Sequence, residues 1–176
     1  MTGANDSGLP TETDDCDARL PIADCRPKSM PLHKLQALLE TFDEFPDPAD
    51  RTDMLLSYAD QFKEVLPEIA TRPFPEKNHI PQCESDAYIW GLKRPDGTLT
   101  LHFAVENPSG VSARALATIL DKTLSGLPAT EIATVNCDIV ERIFRRNISM
   151  GKGMGLMAMV DAVRALARKA TASNPG

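Results

Sequence analysis

The chain has 176 residues, 42% of them hydrophobic, with 19 basic and 25 acidic side chains and a formal net charge of −6. A chain of this size buries roughly two-thirds of its unfolded surface, so one domain forms a core without metal or disulfide staples. The acidic balance excludes nucleic acid as a general partner, because phosphate binding needs clustered Lys and Arg.

No apolar run approaches the roughly 18–20 residues of a membrane-spanning helix. The opening MTGANDSGLPTETDD lacks the basic start and apolar stretch of a secretory signal and the arginines of a transit peptide. These features predict a soluble, cytoplasmic protein with no membrane partner. Four cysteines, Cys16, Cys25, Cys83 and Cys137, are spread without any C-x-x-C pair. That spacing speaks against a zinc quartet or a thioredoxin-type motif and fits a reducing compartment.

Residues 1–28 carry Asp6, Glu12, Asp14, Asp15, Asp17 and Asp24 against Arg19, Arg26 and Lys28, with few large apolar side chains. Such a segment cannot bury enough surface to offset its ordering entropy, which predicts a disordered acidic tail with Cys16 and Cys25 exposed and idle. Residues 29–171 are expected to form one domain, and 172–176 a flexible C-terminus.

Leu32, Leu35, Leu39, Phe42 and Phe45 recur at helical spacing and predict a first amphipathic helix. Asp47-Pro48 reads as an N-cap with proline in the first turn, and Met54, Tyr58, Phe62 and Val65 make the stripe of a second helix. Pro67, Pro73 and Pro75 then forbid regular helix and predict a loop of roughly 16 residues reaching Cys83, a length uncommon in a compact domain and often functional. After Cys83 the period changes to two. Ala87–Leu92 is β-prone, Pro95-Asp96-Gly97 signals a turn, and Leu99, Leu101, Phe103 and Val105 alternate with Thr98, Thr100, His102 and Ala104.

Helices complete the chain. Asn107 or Ser109 is a candidate cap for a helix running to Leu124, with Gly126 as its stop. A turn is expected at Pro128–Ala133, a short helix at Asp138–Arg146, and a last helix from Gly155 carrying Leu156, Met159, Val160, Val163 and Leu166. The order ααββααα predicts an α+β fold, helices packed around a small antiparallel sheet built on a β-hairpin.

Position alone leaves two readings for Cys83. Free cysteine is among the most buried residue types, which favours packing. A thiol at the end of a proline-rich loop, just before a hairpin, is also well presented for nucleophilic sulfur chemistry, in which only the thiolate attacks. His79, four residues earlier, reads as a solvated loop histidine, or as a base lowering the Cys83 pKa. His102 is expected to point outward, and Cys137 to pack. Gly151-Lys152-Gly153-Met154-Gly155 lacks the spacing of a phosphate loop and reads as a helix lead-in. Arg142, Arg145 and Arg146 read as a solvated basic helix end, with docking to an acidic partner as the alternative.

Several segments in order resemble one family. They are Tyr58-x7-Leu66-Pro67, Asn78-x-Ile80-x-Gln82-Cys83-Glu84-Ser85, Ala87-Tyr88-Ile89-Trp90, the strand Leu99–Val105, Ala113-Arg114-Ala115-Leu116, and Gly155-Leu156 followed by Met159. From about Leu35 to Ala170 the chain resembles the SufE/CsdE sulfur acceptors, partners of cysteine desulfurases in iron–sulfur cluster assembly. The resemblance implies that a PLP-dependent desulfurase forms a cysteine persulfide and that Cys83 takes its outer sulfur for delivery to an iron–sulfur scaffold. No cofactor of the chain's own is implied. Two positions depart from the pattern: Gln82 replaces the usual glycine before the cysteine, restricting the backbone there, and Lys152 replaces an arginine, keeping charge but losing the bidentate fork. The alternatives are an adaptor that binds a desulfurase or scaffold without carrying sulfur, and an independent thiol enzyme.

Overall fold

The computed structural model describes residues 32–145 and 148–172. The expectations for the acidic tail with Cys16 and Cys25, for residues 173–176 and for Arg146 lie outside the described residues.

Helix α1 (His33–Glu44) buries Leu35, Leu39 and Phe42 of the predicted stripe, while Leu32 and Phe45 fall at its two caps and Phe45 is exposed. Helix α2 (Pro48–Asp60) is capped by Asp47, whose carboxylate accepts from the N–H groups of Ala49 at 2.7 Å and Asp50 at 3.4 Å. The predicted stripe of this helix is too long. The helix stops at Asp60, and the Val65 N–H donates instead to the Phe103 carbonyl at 2.8 Å. Val65 thereby leaves the helix face and packs with Trp90 and Ala104 in a small second cluster. A backbone partner offered by a neighbouring strand outweighs helical periodicity here.

Strands β1 (Ala87–Lys93) and β2 (Leu99–Val105) pair antiparallel, from Ala87 opposite Val105 to Lys93 opposite Leu99. Their turn holds Gly97 at φ +81°, and the Asp96 carboxylate accepts from the Thr98 N–H at 3.0 Å. Helix α3 (Val111–Leu124) is buried along most of its length. Neither Asn107 nor Ser109 caps it: Gly110 stands at the N-cap, while the Asn107 side chain accepts from the Ser109 N–H at 2.9 Å and shapes the preceding turn.

The expected turn at Pro128–Ala133 contains one turn of helix, α4 (Ala129–Ile132). Helix α5 (Asp138–Phe144) ends two residues short of the expected Arg146, because Arg145 adopts φ +47°, outside the helical region. Helix α6 (Met150–Ala172) begins earlier than the predicted Gly155. Its three early glycines suggest a lead-in, since each weakens a helix by about 1 kcal/mol relative to alanine. Ser149 nevertheless starts the helix: its carbonyl accepts from Gly153 at 2.9 Å and its hydroxyl from the Lys152 N–H at 3.4 Å.

One core joins these elements, drawing Phe42, Leu101, Leu116, Ile143, Met159 and Val163 from α1, β2, α3, α5 and α6. The architecture is α+β, a two-stranded hairpin packed among helices. Arg51, a residue outside the predicted apolar stripe, is only 1% exposed. Its guanidinium donates to the carbonyls of Phe42 and Phe45 at the end of α1, and to those of Arg142 (2.8 Å) and Ile143 (2.9 Å) at the end of α5. A buried cation there satisfies orphan carbonyls and faces the negative ends of two helices. Among the described residues, no helix is long and apolar enough to cross a membrane.

Candidate functional site

Cys83 sits where two tight turns meet. Its N–H donates to the Ile80 carbonyl at 3.1 Å, and its own carbonyl accepts from the Asp86 N–H at 3.1 Å. The approach to these turns is pinned to the hairpin. The Asn78 amide donates to the Ile89 carbonyl at 2.7 Å, and the Ile80 N–H to that of Ala87 at 2.8 Å. The exit is pinned to the end of β2, where Glu106 and Asn107 donate to the carbonyls of Asp86 and Ser85. Asp86 takes the left-handed conformation, φ +48°, that lets the chain reverse into β1.

Two glycines close in on this loop from either side. A Cβ on Gly155 of α6 would stand 2.9 Å from the Gln82 carbonyl oxygen and 3.3 Å from the Cys83 Cα. A Cβ on Gly110, just before α3, would stand 2.9 Å from Val105 Cγ1 and 3.0 Å from Ser85 Cβ. At Gly155 backbone therefore meets backbone, a contact that only glycine permits. Gln82 lies outside the left-handed region, and its side chain is exposed. The missing glycine before the cysteine thus imposes no strain.

The thiol borders a cavity of about 170 Å³ formed with Glu84, Ser85, Ser109, Ser112 and Lys152. Cys83 itself is 7% exposed. Burial raises its pKa; the N–H groups of Ser85 and Ala87 and the Ser85 hydroxyl oppose that rise, and the Asp86 charge adds to it. Burial thus favours the protonated form of this sheltered thiol, whereas attack on sulfur requires the thiolate.

The other sequence candidates fall elsewhere. His79 is packed, with a side chain 19% exposed. Its Nδ1 lies 3.5 Å from Glu76 Oε1, its Nε2 3.7 Å from Asp86 Oδ1, and its ring centroid 5.0 Å from that of Tyr88. Its nitrogens serve carboxylates, and it is not among the groups that shift the Cys83 thiol. His102 is half-buried, opposite Trp90 in the sheet. Arg142 and Arg145 both pair with Asp43 and so tie α5 to α1, whereas a solvated end was expected. Cys137 is half-buried, 3.2 Å from Asp161 Oδ1 and 3.6 Å from an Arg164 nitrogen, and burial raises its pKa.

Lys152 and Gly155 of the Gly151–Gly155 segment line the thiol cavity, by virtue of the early start of α6. Sequence reasoning missed Ser109, Gly110 and Ser112. Their signal is the Asn107-Pro108-Ser109-Gly110 turn before α3, legible as a cap but not as a wall of the site. Among the described residues, no group of His, Cys, Asp or Glu could hold a metal ion.

A family model, the SufE Fe–S metabolism associated domain, matches residues 36–167. The solution structure of a hypothetical protein from Thermus thermophilus superposes with a TM-score of 0.61 at 23% identity. The match covers 80% of this chain and 97% of that one, and the two share a fold. No curated protein matches the sequence. With three-quarters of its length matched by the family model, the chain belongs to the SufE family, whose domain is associated with iron–sulfur metabolism.

Proposed function

We propose that the protein is a sulfur carrier of the cytoplasm, acting through Cys83 within a domain spanning residues 29–171. The Cys83 thiolate attacks the outer sulfur of a persulfide on a cysteine desulfurase. A new S–S bond forms to Cys83, the donor's S–S bond breaks, and the donor cysteine leaves as a thiolate. The outer sulfur keeps its proton, and no net oxidation occurs. Cys83 then carries a persulfide that an iron–sulfur scaffold thiol takes up by the same exchange. The desulfurase brings its own PLP; the carrier supplies the thiol and its shelter.

The observation that carries this reading is the placement of Cys83 at the junction of two turns, beside a small polar cavity between the starts of α3 and α6. A purely packing cysteine has no need of a cavity lined by Ser85, Ser109, Ser112 and Lys152. A family tied to iron–sulfur metabolism supplies the chemical context.

One observation favours a second reading, an adaptor that stimulates a desulfurase without carrying sulfur: Cys83 is buried and its pKa is raised. Replacing Cys83 with serine separates the two. A carrier loses its stimulation of cysteine turnover by the desulfurase, whereas an adaptor keeps it.

A further inference from the structure

Three donors converge on the Cys83 sulfur. The N–H groups of Ser85 and Ala87 and the Ser85 hydroxyl all hydrogen-bond to it, so Ser85 alone supplies two of the three. A sulfur that only fills space has little use for such a set. A thiol is a weak acceptor, whereas hydrogen bonds to an ionised acceptor are about twice as strong as neutral ones.

The fold holds Ser85 in place from both sides of its turn. Its carbonyl accepts from the Asn107 N–H at 3.2 Å, and the Asp86 N–H after it bonds the Cys83 carbonyl at 3.1 Å. A Cβ on Gly110 would stand 3.0 Å from Ser85 Cβ, so the turn before α3 backs this side chain closely. That turn is fixed in its own right. The Asn107 carbonyl accepts from the Gly110 N–H at 2.9 Å, and the Asn107 side chain from the Ser109 N–H at 2.9 Å. The carbon that carries the Ser85 hydroxyl is thereby fixed relative to the sulfur.

Charged groups do not take over this task. Asp86, whose Oδ1 lies 3.7 Å from His79 Nε2, acts against the thiolate. Glu84, and Lys152 from α6, line the cavity, but neither is among the strongest influences on the sulfur. Helix α3 contributes the uncharged Ser112 and Ala113 to the same wall.

We infer that Ser85 is a positioning residue that holds the Cys83 sulfur as an anion in both halves of sulfur exchange. The inference rests on the carrier reading above and assigns a further residue to that reaction. In loading, the Cys83 thiolate attacks the donor's outer sulfur; the Sγ–S bond forms and the donor's S–S bond breaks. In unloading, an acceptor thiolate attacks that outer sulfur, the Sγ–S bond breaks, and Sγ leaves with the electron pair. Sγ is the anion before the first step and after the second, so donors fixed on it serve both. Between the steps it is a neutral bridging atom with little to gain from them. Each pH unit by which the donors lower the Cys83 pKa gives about ten times more thiolate and costs about threefold in nucleophilicity, a net gain of about threefold. Departure of Sγ as a leaving group is speeded by the same change.

The test titrates Cys83 by the ultraviolet absorption of its thiolate, taken as the difference from the matching Cys83→Ser protein. Ser85→Ala is expected to raise the titration midpoint by about one pH unit, the loss of one hydrogen bond to a charged sulfur. Ser85→Thr keeps the hydroxyl and is expected to keep most of the wild-type midpoint. With a purified cysteine desulfurase and L-cysteine at about pH 7, mass spectrometry is expected to show Ser85→Ala gaining sulfur about threefold more slowly than wild type. Above both midpoints, Ser85→Ala is expected to be alkylated at Cys83 no more slowly than wild type, which a merely disturbed fold does not explain. Circular dichroism checks each fold across the titration, and Ser85→Gly takes the place of Ser85→Ala if that variant misfolds. An unshifted midpoint in folded Ser85→Ala, or an equal shift in folded Ser85→Thr, overturns the assignment. A wild-type protein that gains no sulfur from an active desulfurase overturns the carrier reading, and the exchange role of Ser85 with it. The two failures are distinguishable, because the titration uses no desulfurase.

Discussion

Gly155 of α6 stands so close to Gln82 that a Cβ would lie 2.9 Å from its carbonyl oxygen, making the last helix the back wall of the thiol loop. The atom in the way is backbone, held by the turn in which the Cys83 N–H bonds Ile80. It cannot rotate aside as a side-chain tip would. The thiol loop and α6 therefore cannot approach more closely, and any added side-chain atom at Gly155 must displace one of them.

Replacing Gly155 with alanine forces them apart. Alanine favours the helix by about 1 kcal/mol, but overpacking against backbone costs roughly 1–3 kcal/mol, so the expected net change is a loss of about 1 kcal/mol. Urea unfolding measures that loss. Alkylation of Cys83 by iodoacetamide is expected to rise several-fold, since the loop is displaced from its wall.

Gly110 makes the matching contact on the other side, 3.0 Å from Ser85 Cβ and 2.9 Å from Val105 Cγ1. Gly110→Ala meets a side chain and a strand residue, so it is expected to destabilise the fold by about 1–3 kcal/mol through strain at the start of α3. A fall in the urea midpoint with unchanged slope is the predicted signature.

Burial raises the Cys83 pKa above the ordinary thiol value. The protonated form is thus favoured more in the folded chain than in the unfolded one. The resulting stability is fully present below the unfolded-state pKa and is lost as pH rises through the folded-state pKa. From about pH 7 to pH 10, a range that spans the ordinary cysteine pKa, the wild type is expected to lose more stability than Cys83→Ser does. Parallel urea titrations of the two proteins across that range check the sign; equal losses contradict it. The alkylation rate of Cys83 is likewise expected to reach half its maximum at a higher pH than that of an exposed cysteine peptide.

Arg51 offers a test far from the thiol. Its guanidinium satisfies carbonyls of Phe42, Phe45, Arg142 and Ile143, and methionine would leave them unpaired in the core. Arg51→Met is expected to cost several kcal/mol, since each buried acceptor left unpaired costs about 1–3 kcal/mol, read from chemical unfolding. In native buffer the alkylation rate of Cys83 is expected to stay within twofold of wild type.

Much of this fold is legible in the residues. Leu35, Leu39 and Phe42 announce α1, Asp47-Pro48 announces the start of α2, and the period-two run around Leu101 and Phe103 announces the hairpin. Helix ends are less legible because they depend on partners distant in sequence. Val65 abandons helical spacing for a bond to Phe103, and the glycine-rich start of α6 forms on the Ser149 cap and on the packing of Gly155.

The site was legible in part. Cys83 stands out by its setting and by the segment around it, yet its burial depends on Gly110 and Gly155, which only the folded chain brings together. Arg51 was missed for a related reason. A cation inside a helix reads as a solvated face unless the carbonyl ends it will cap, at Phe42 and Ile143, are known to converge.

The most direct test of the account is the mass of the Cys83 peptide after incubation with a cysteine desulfurase and L-cysteine. A gain of one or more sulfur atoms on that peptide, absent in Cys83→Ser and removed by a thiol reductant, is the predicted result. An unmodified Cys83 beside a desulfurase that is turning over contradicts it.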